Sequence, residues 1–220
     1  MREDMEELHI SLADREWTLC RSGDLESAWQ AMSEGVLDED ERLPYWRELW
    51  PSSIGLGNWL VGQRTSIFNQ PCLDMGCGLG LTAMLARWLG SRVLGMDYEP
   101  DALRCAARGA RLSGVNDLPL ALMDWRKPAV KPGAFAYIWG ADIMYEARFA
   151  APIAEFLLYA LAPGGIVWLA EPGRTIYQVL VEALFRRGFS ARRAYTQMVN
   201  EPLANPVPVP VTVWEIHKPL

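Results

Sequence analysis

Cys72-Leu73-Asp74-Met75-Gly76-Cys77-Gly78-Leu79-Gly80 places an acid at the end of a short apolar run and then sets glycines at alternate positions. The run reads as a buried strand over 71–75, and Leu81, Met84, Leu85 and Trp88 recur at helical spacing over 80–89. Strand, glycine turn and helix in that order make a ligand-binding corner, because glycine permits positive φ and lets a ligand lie against bare backbone. The acid beside the glycines argues against a pyrophosphate, which a carboxylate repels. It suits a ligand that carries a cationic amine.

The same alternation continues downstream. Residues 92–96 form a second strand ending at Asp97, and Pro100 sits in the first turn of an Ala-rich helix reaching Leu112. A third strand over 118–123 ends at Asp124, and a fourth over 134–139 runs into Gly140-Ala141-Asp142. A helix over 148–161 is stopped by Ala162-Pro163-Gly164-Gly165, a strong turn signal. A fifth strand over 166–170, a helix over 175–187 closed by Gly188, and a strand pair over 189–199 and 207–217 complete the chain. Upstream, a helix begins at Pro51. The pattern defines an α/β, doubly wound, mostly parallel sheet with a C-terminal antiparallel hairpin and helices on both faces. Residues 1–43 are acidic, with scattered apolar anchors at Trp17, Leu19, Leu25, Trp29, Met32 and Leu37. They are expected to form an extension of short helices or strand-like pieces packed on a domain spanning 44–220.

Composition narrows the function classes. A chain of 220 residues, half of them hydrophobic and 22% charged, suits one α/β domain with a packed core. The net charge of −6 counts against a basic face for nucleic acid. The four cysteines, Cys20, Cys72, Cys77 and Cys105, form no C-x-x-C pair and read as reduced thiols of a cytoplasmic protein. His9 and His217 lie near opposite ends of the chain, so neither a histidine metal site nor a Ser-His-Asp arrangement is supported. The acid-rich opening, Met1 to Glu7, does not read as a leader, and no run approaches the roughly 20 apolar residues of a membrane helix.

In such a sheet, ligands bind outside the carboxyl ends of the strands. Asp74, Asp97, Asp124 and Asp142 stand at four consecutive strand ends and point to one crevice. Each acid alone is ordinary; with the glycine loop they form a constellation. Asp97, about 20 residues past the loop, suits a ribose diol, and Tyr98 suits an adenine face. Asp124 would accept from the adenine amine with Trp125 over the ring. Asp74 would sit near the sulfonium and amino end of S-adenosylmethionine. A dinucleotide is the rival, since Gly78-Leu79-Gly80-Leu81-Thr82-Ala83 satisfies a loose G-x-G-x-x-A pattern and Asp97 also fits an NAD ribose. Asp74, Asp124 and the short chain favour the methyl donor. No G-x-x-x-x-G-K-[ST] pattern occurs.

Asp74 to Gly80, Asp97 and Met123-Asp124-Trp125 together resemble the class I, seven-strand S-adenosylmethionine-dependent methyltransferases, over nearly everything from Tyr45 onward. Leu49-Trp50-Pro51-Ser52-Ser53 resembles the Trp-Pro-(Ser/Ala) entry of the family-16 branch, which contains protein-lysine methyltransferases. Ala141-Asp142-Ile143-Met144-Tyr145 is similar to that branch's Asp-x-x-Tyr motif. The resemblance implies a Rossmann-like, seven-stranded sheet. It also implies cofactor contacts from Trp50, Gly76, Cys77, Gly78, Gly80 and Ala141, and an acceptor site shaped by Asp142 and Tyr145. S-adenosylmethionine is the implied donor and S-adenosylhomocysteine the product, with no metal. The expected acceptor is a lysine side chain of a protein. A small-molecule N- or O-acceptor, and a cofactor-binding regulator without turnover, stay open. No nucleic-acid or membrane partner is expected. In-line displacement from a sulfonium requires alignment rather than a covalent nucleophile, in keeping with the scarcity of histidine. Glu171 is a lesser candidate for the acceptor side, Trp46 and Trp59 read as core, and Arg186, Arg187, Arg192 and Arg193 read as a solvated face.

Overall fold

The computed structural model of the protein describes residues 5–22, 45–200 and 208–218. Its helices are α1 (Pro51–Gly62), α2 (Arg64–Ile67), α3 (Leu81–Trp88), α4 (Pro100–Leu112), α5 (Ala150–Ala160) and α6 (Tyr177–Phe185). Its strands are β1 (Met5–Leu12), β2 (Arg15–Ser22), β3 (Pro71–Met75), β4 (Arg92–Asp97), β5 (Leu120–Leu122), β6 (Phe135–Ala141), β7 (Leu161–Glu171), β8 (Ser190–Val199) and β9 (Val209–His217).

β3 lies third, next to the central β6, in a seven-stranded sheet ordered β5-β4-β3-β6-β7-β9-β8. Cys72 to Met75 are buried, as a strand covered on both faces requires. The five strands from β5 to β7 run parallel, β9 runs antiparallel to β7, and β8 pairs antiparallel with β9. This is the expected Rossmann-like, mostly parallel sheet with its closing hairpin. Side chains alternate between two cores. Trp139 and Trp168 pack with Leu56, Leu60, Met84 and Leu85 on one face. Ile138, Val167 and Leu169 pack with Ile153, Leu157, Leu180 and Leu184 on the other.

Several boundaries differ from the sequence reading, two of them in ways that reshape the sheet. The turn signal at Ala162–Gly165 is absorbed into β7 as a bulge, because Leu161 pairs with Phe135 and the ladder resumes at Ile166 opposite Tyr137. β5 spans Leu120–Leu122 alone; Pro119 has no N–H to extend the ladder.

The described part of the N-terminal stretch is an antiparallel hairpin, β1 with β2. Its two-residue turn holds Ala13 and Asp14 at φ 58° and 55°, the twist that suits paired strands. Trp17 and Leu19 are fully buried. Ser113, just past α4, fastens the hairpin by accepting the Thr18 N–H at 2.9 Å and donating to the Thr18 carbonyl at 3.1 Å. Leu25, Trp29, Met32 and Leu37, expected as anchors, lie outside the described residues.

Strand order reverses between β3 and β6, since the chain builds outward through β4 and β5 before returning to β6 beside β3. The carboxyl ends of β3, β4 and β6 therefore open on one crevice, the usual ligand position of such sheets.

Candidate functional site

A cavity open to solvent occupies that crevice. Its floor is the turn after β3. Gly76 and Gly80 have φ 69° and 84°. A methyl group on Gly80 would come within 2.8 Å of the Ala106 side chain on α4, and one on Gly76 within 2.9 Å of Ile143. Backbone thus lies where any side chain would block the turn. Trp50, Gly76, Cys77, Gly78, Gly80, Asp97, Tyr98, Trp125, Ala141, Asp142 and Tyr145 line the cavity together. Asp74 and Asp124 are outside its lining.

Asp74 turns under the floor. It is 1% exposed, and its Oδ2 accepts the Thr82 hydroxyl at 2.6 Å, tying β3 to the first turn of α3. Burial pushes its carboxyl from 3.8 up to about 7, against the pull of that hydrogen bond. A carboxyl raised in the folded state binds its proton more tightly there than in the unfolded chain. Its contribution to stability is full in acid and is lost as pH rises through the folded value. The thermal midpoint of the native chain is expected to fall between about pH 5 and 8, on the order of 2–4 kcal/mol in stability from this group. Asp74→Asn should flatten that slope in melts across the range; an equal slope in both proteins would contradict the assignment.

Asp124 turns outward: its Oδ1 accepts the Arg126 N–H at 2.8 Å, and both oxygens take Arg126 Nε. Trp125 faces the other way into the cavity wall, 8% exposed, with its indole N–H buried and unpartnered. Its ring meets Phe149 edge-on at 5.7 Å.

Asp97 ends β4 and is 6% exposed. Its Oδ2 accepts the Gly78 N–H at 2.9 Å and its Oδ1 the Glu99 N–H at 3.0 Å. Each oxygen keeps a lone pair. Burial raises the Asp97 carboxyl, and these backbone N–H groups hold it down.

Asp142 follows β6 in a left-handed conformation, φ 53°, with its N–H donated to the Ala170 carbonyl at 2.9 Å. Its carboxylate is clasped by Arg174, Nε to Oδ1 at 3.0 Å and Nη2 to Oδ2 at 3.1 Å. Tyr145 packs against Tyr45 at 4.4 Å and edge-on to Phe149 at 5.4 Å. Burial drives its phenol far above the ordinary range, so it stays protonated.

Some participants escaped the sequence reading. Tyr45 and Trp46, in a 3-10 turn before α1, line the cavity, so Trp46 is wall and not only core. Glu48 also lines it and is bound at two points by Arg21 of β2, at 3.0 and 3.1 Å, which ties the hairpin to the cavity rim. Glu171 is committed elsewhere: Oε2 accepts the Gly173 and Arg174 N–H groups and Oε1 the Trp214 indole. Among the described residues, no three His, Cys, Asp or Glu are grouped to hold a metal.

The residues present fit S-adenosylmethionine. Bare glycine backbone, a diol-competent Asp97 and the aromatic faces of Tyr98 and Trp125 surround one cavity. Known proteins agree. A family model described as a methyltransferase domain matches residues 72–165. The electron transfer flavoprotein beta subunit lysine methyltransferase of Mus musculus is 26% identical over 182 residues, covering 79% of this chain and 67% of that protein. The ribosomal protein L11 methyltransferase of Marinobacter nauticus is 32% identical over 209 residues, covering 84% of this chain and 64% of the other. Among solved structures, a Pyrococcus horikoshii protein with a provisional RNA-methyltransferase name superposes with TM-score 0.63 at 14% identity, over 89% of this chain and 98% of its own. A geranyl diphosphate methyltransferase bound to S-adenosylmethionine does so at 0.55 and 13%, over 73% and 83%. At such identities these two structures speak to fold alone. The chain is an S-adenosylmethionine-dependent methyltransferase with the fold of the class I enzymes.

Proposed function

We propose that this methyltransferase modifies the side-chain amine of a lysine in a protein. The observation that carries the reading is the placement of Asp142 and Tyr145 in the same cavity as Asp97 and the glycine turn. An acceptor amine entering past the rings of Tyr45 and Tyr145 meets a buried carboxylate within reach of the donor position. Both curated relatives reported above are named for protein acceptors.

Bound in the cavity, S-adenosylmethionine supplies a methyl group on a sulfonium and leaves as S-adenosylhomocysteine. The chain supplies everything else. Asp97 anchors the ribose through the lone pairs its backbone bonds leave free. Gly76, Cys77, Gly78, Gly80 and Ala141 offer backbone to the amino-acid arm, and Trp50, Tyr98 and Trp125 enclose the ligand. Asp142 attracts the lysine ammonium and orients it, and Tyr145 accepts or donates a hydrogen bond at its phenol oxygen. The ammonium must release its proton to water before transfer, and desolvation beside the aromatic wall lowers its proton affinity. Asp74 fastens the floor from below, and Asp124 holds the turn that carries Trp125.

Residues 1–43 act in this reading as an extension resting on the domain from 44 to 220. The four buried free thiols suit a reducing, cytoplasmic setting. No helix among the described residues is long and apolar enough to cross a membrane, and an acidic chain is poorly matched to nucleic acid.

Methyl-tritiated donor incubated with a lysate from cells lacking the protein tests the reading. A labelled protein band supports it. Label confined to small molecules assigns a small-molecule acceptor, and donor binding without any label assigns a regulator.

A further inference from the structure

The turn Glu171-Pro172-Gly173-Arg174 leaves the sheet at the end of β7, and its shape is fixed by its own acid. Glu171 binds the N–H groups of Gly173 and Arg174 on one oxygen and the Trp214 indole on the other. What the turn delivers is the Arg174 guanidinium, which crosses to the end of β6 and meets Asp142 at two points. The same guanidinium lies over the Trp50 ring at 5.7 Å. The Asp142 side chain is 4% exposed and that of Arg174 41%, so the pair has one buried and one wet end.

A planar fork matches a carboxylate in two parallel bonds and stops its rotation. It uses one lone pair on each oxygen and leaves the others. Asp142 meanwhile holds a left-handed backbone, φ 53°, that non-glycine residues seldom adopt. A second fixed point on the side chain keeps that turn in place.

The geometry points to Arg174 as a positioning residue of the acceptor site: it clamps the Asp142 carboxylate from outside, so that the remaining lone pairs meet the acceptor amine in the cavity. The role of the clamped carboxylate rests on the lysine-acceptor reading above; the clamp itself does not.

Charge supports the geometry. Burial raises the Asp142 carboxyl, the Arg174 hydrogen bonds and charge lower it, and Glu171 raises it again. The Tyr45 phenol faces Arg174 from the 3-10 turn. Removing the guanidinium leaves burial and Glu171, both of which favour the proton. Asp142 would then lose its charge first on the acid side.

The test uses Arg174→Gln and Arg174→Lys beside Asp142→Asn, each checked by melting and by S-adenosylhomocysteine calorimetry. The first readout is independent of turnover: the 13Cγ titration of Asp142 in aspartate-labelled protein, assigned with Asp142→Asn. Arg174→Gln should move the midpoint up by about one pH unit or more, and Arg174→Lys should restore part of it. An unmoved midpoint overturns the proposal. The second readout is tritiated-methyl transfer into lysate proteins. Arg174→Gln should bind S-adenosylhomocysteine within about threefold of native and transfer more slowly on the acid side of the Asp142 midpoint, by up to about tenfold per pH unit of the shift, with the deficit closing above that midpoint. Native-level transfer by Arg174→Gln, or an equal deficit at every pH, overturns the proposal while leaving the function intact. Native-level transfer by Asp142→Asn instead removes the acceptor role of Asp142 itself.

Discussion

Asp97→Ala is expected to weaken S-adenosylhomocysteine binding by about 10²–10⁴-fold, because two hydrogen bonds donated by the ribose diol to a carboxylate are worth about 1.5–3 kcal/mol each. The carboxylate is prepared for this. Its two oxygens are already steered by the Gly78 and Glu99 N–H groups, at 2.9 and 3.0 Å, so no reorientation is required when the diol arrives. The variant also leaves the Gly78 N–H without its acceptor, which loosens the glycine turn. Asp97→Asn should fall between, since one oxygen survives. Calorimetry on folded variants decides the matter; affinity within about threefold of native in Asp97→Ala would place the ribose elsewhere.

Asp142→Ala is expected to cut methyl transfer at least about 100-fold while donor affinity stays within about threefold. The dissociation of these two effects is the informative part. Asp142 lines the same cavity as Asp97, and nothing its carboxylate binds belongs to the turn that cradles the donor. Its removal takes away the charge that draws an ammonium and leaves the Arg174 guanidinium, formerly paired, free to repel that same cation. The transfer loss should therefore appear in both kcat and KM. Full-rate transfer in the variant would move the acceptor site away from β6.

The sheet and its crevice were legible because their signals are local. Apolar runs at 71–75, 92–96 and 166–170 broken by glycine and proline report buried parallel strands, and Asp97 is found by counting from the glycine turn. The N-terminal hairpin carried a signal too, Leu8, Ile10 and Leu12 at alternate positions. It passed unread because Ala13-Asp14 lacks the glycine that usually marks so tight a turn.

Side-chain direction was not legible. Asp74 and Asp124 stand at strand ends like Asp97, yet the pleat sends Asp74 toward Thr82, and Arg126 holds Asp124 outside. Position along a strand says which end a residue occupies and leaves open which neighbour claims its polar atoms. Contacts across long stretches of chain were equally hidden. Arg174 meets Asp142 and Tyr45 meets Tyr145 only because β6, β7 and the 3-10 turn converge on one crevice. No spacing in the sequence encodes that convergence.

The central claim, that the methyl group ends on a protein lysine, is tested most directly by hydrolysing the tritium-labelled protein band to amino acids and separating them. Radioactivity recovered as methyl-lysine, and absent when Asp142→Ala replaces the native chain, is the predicted result. Radioactivity in any other amino acid would contradict it.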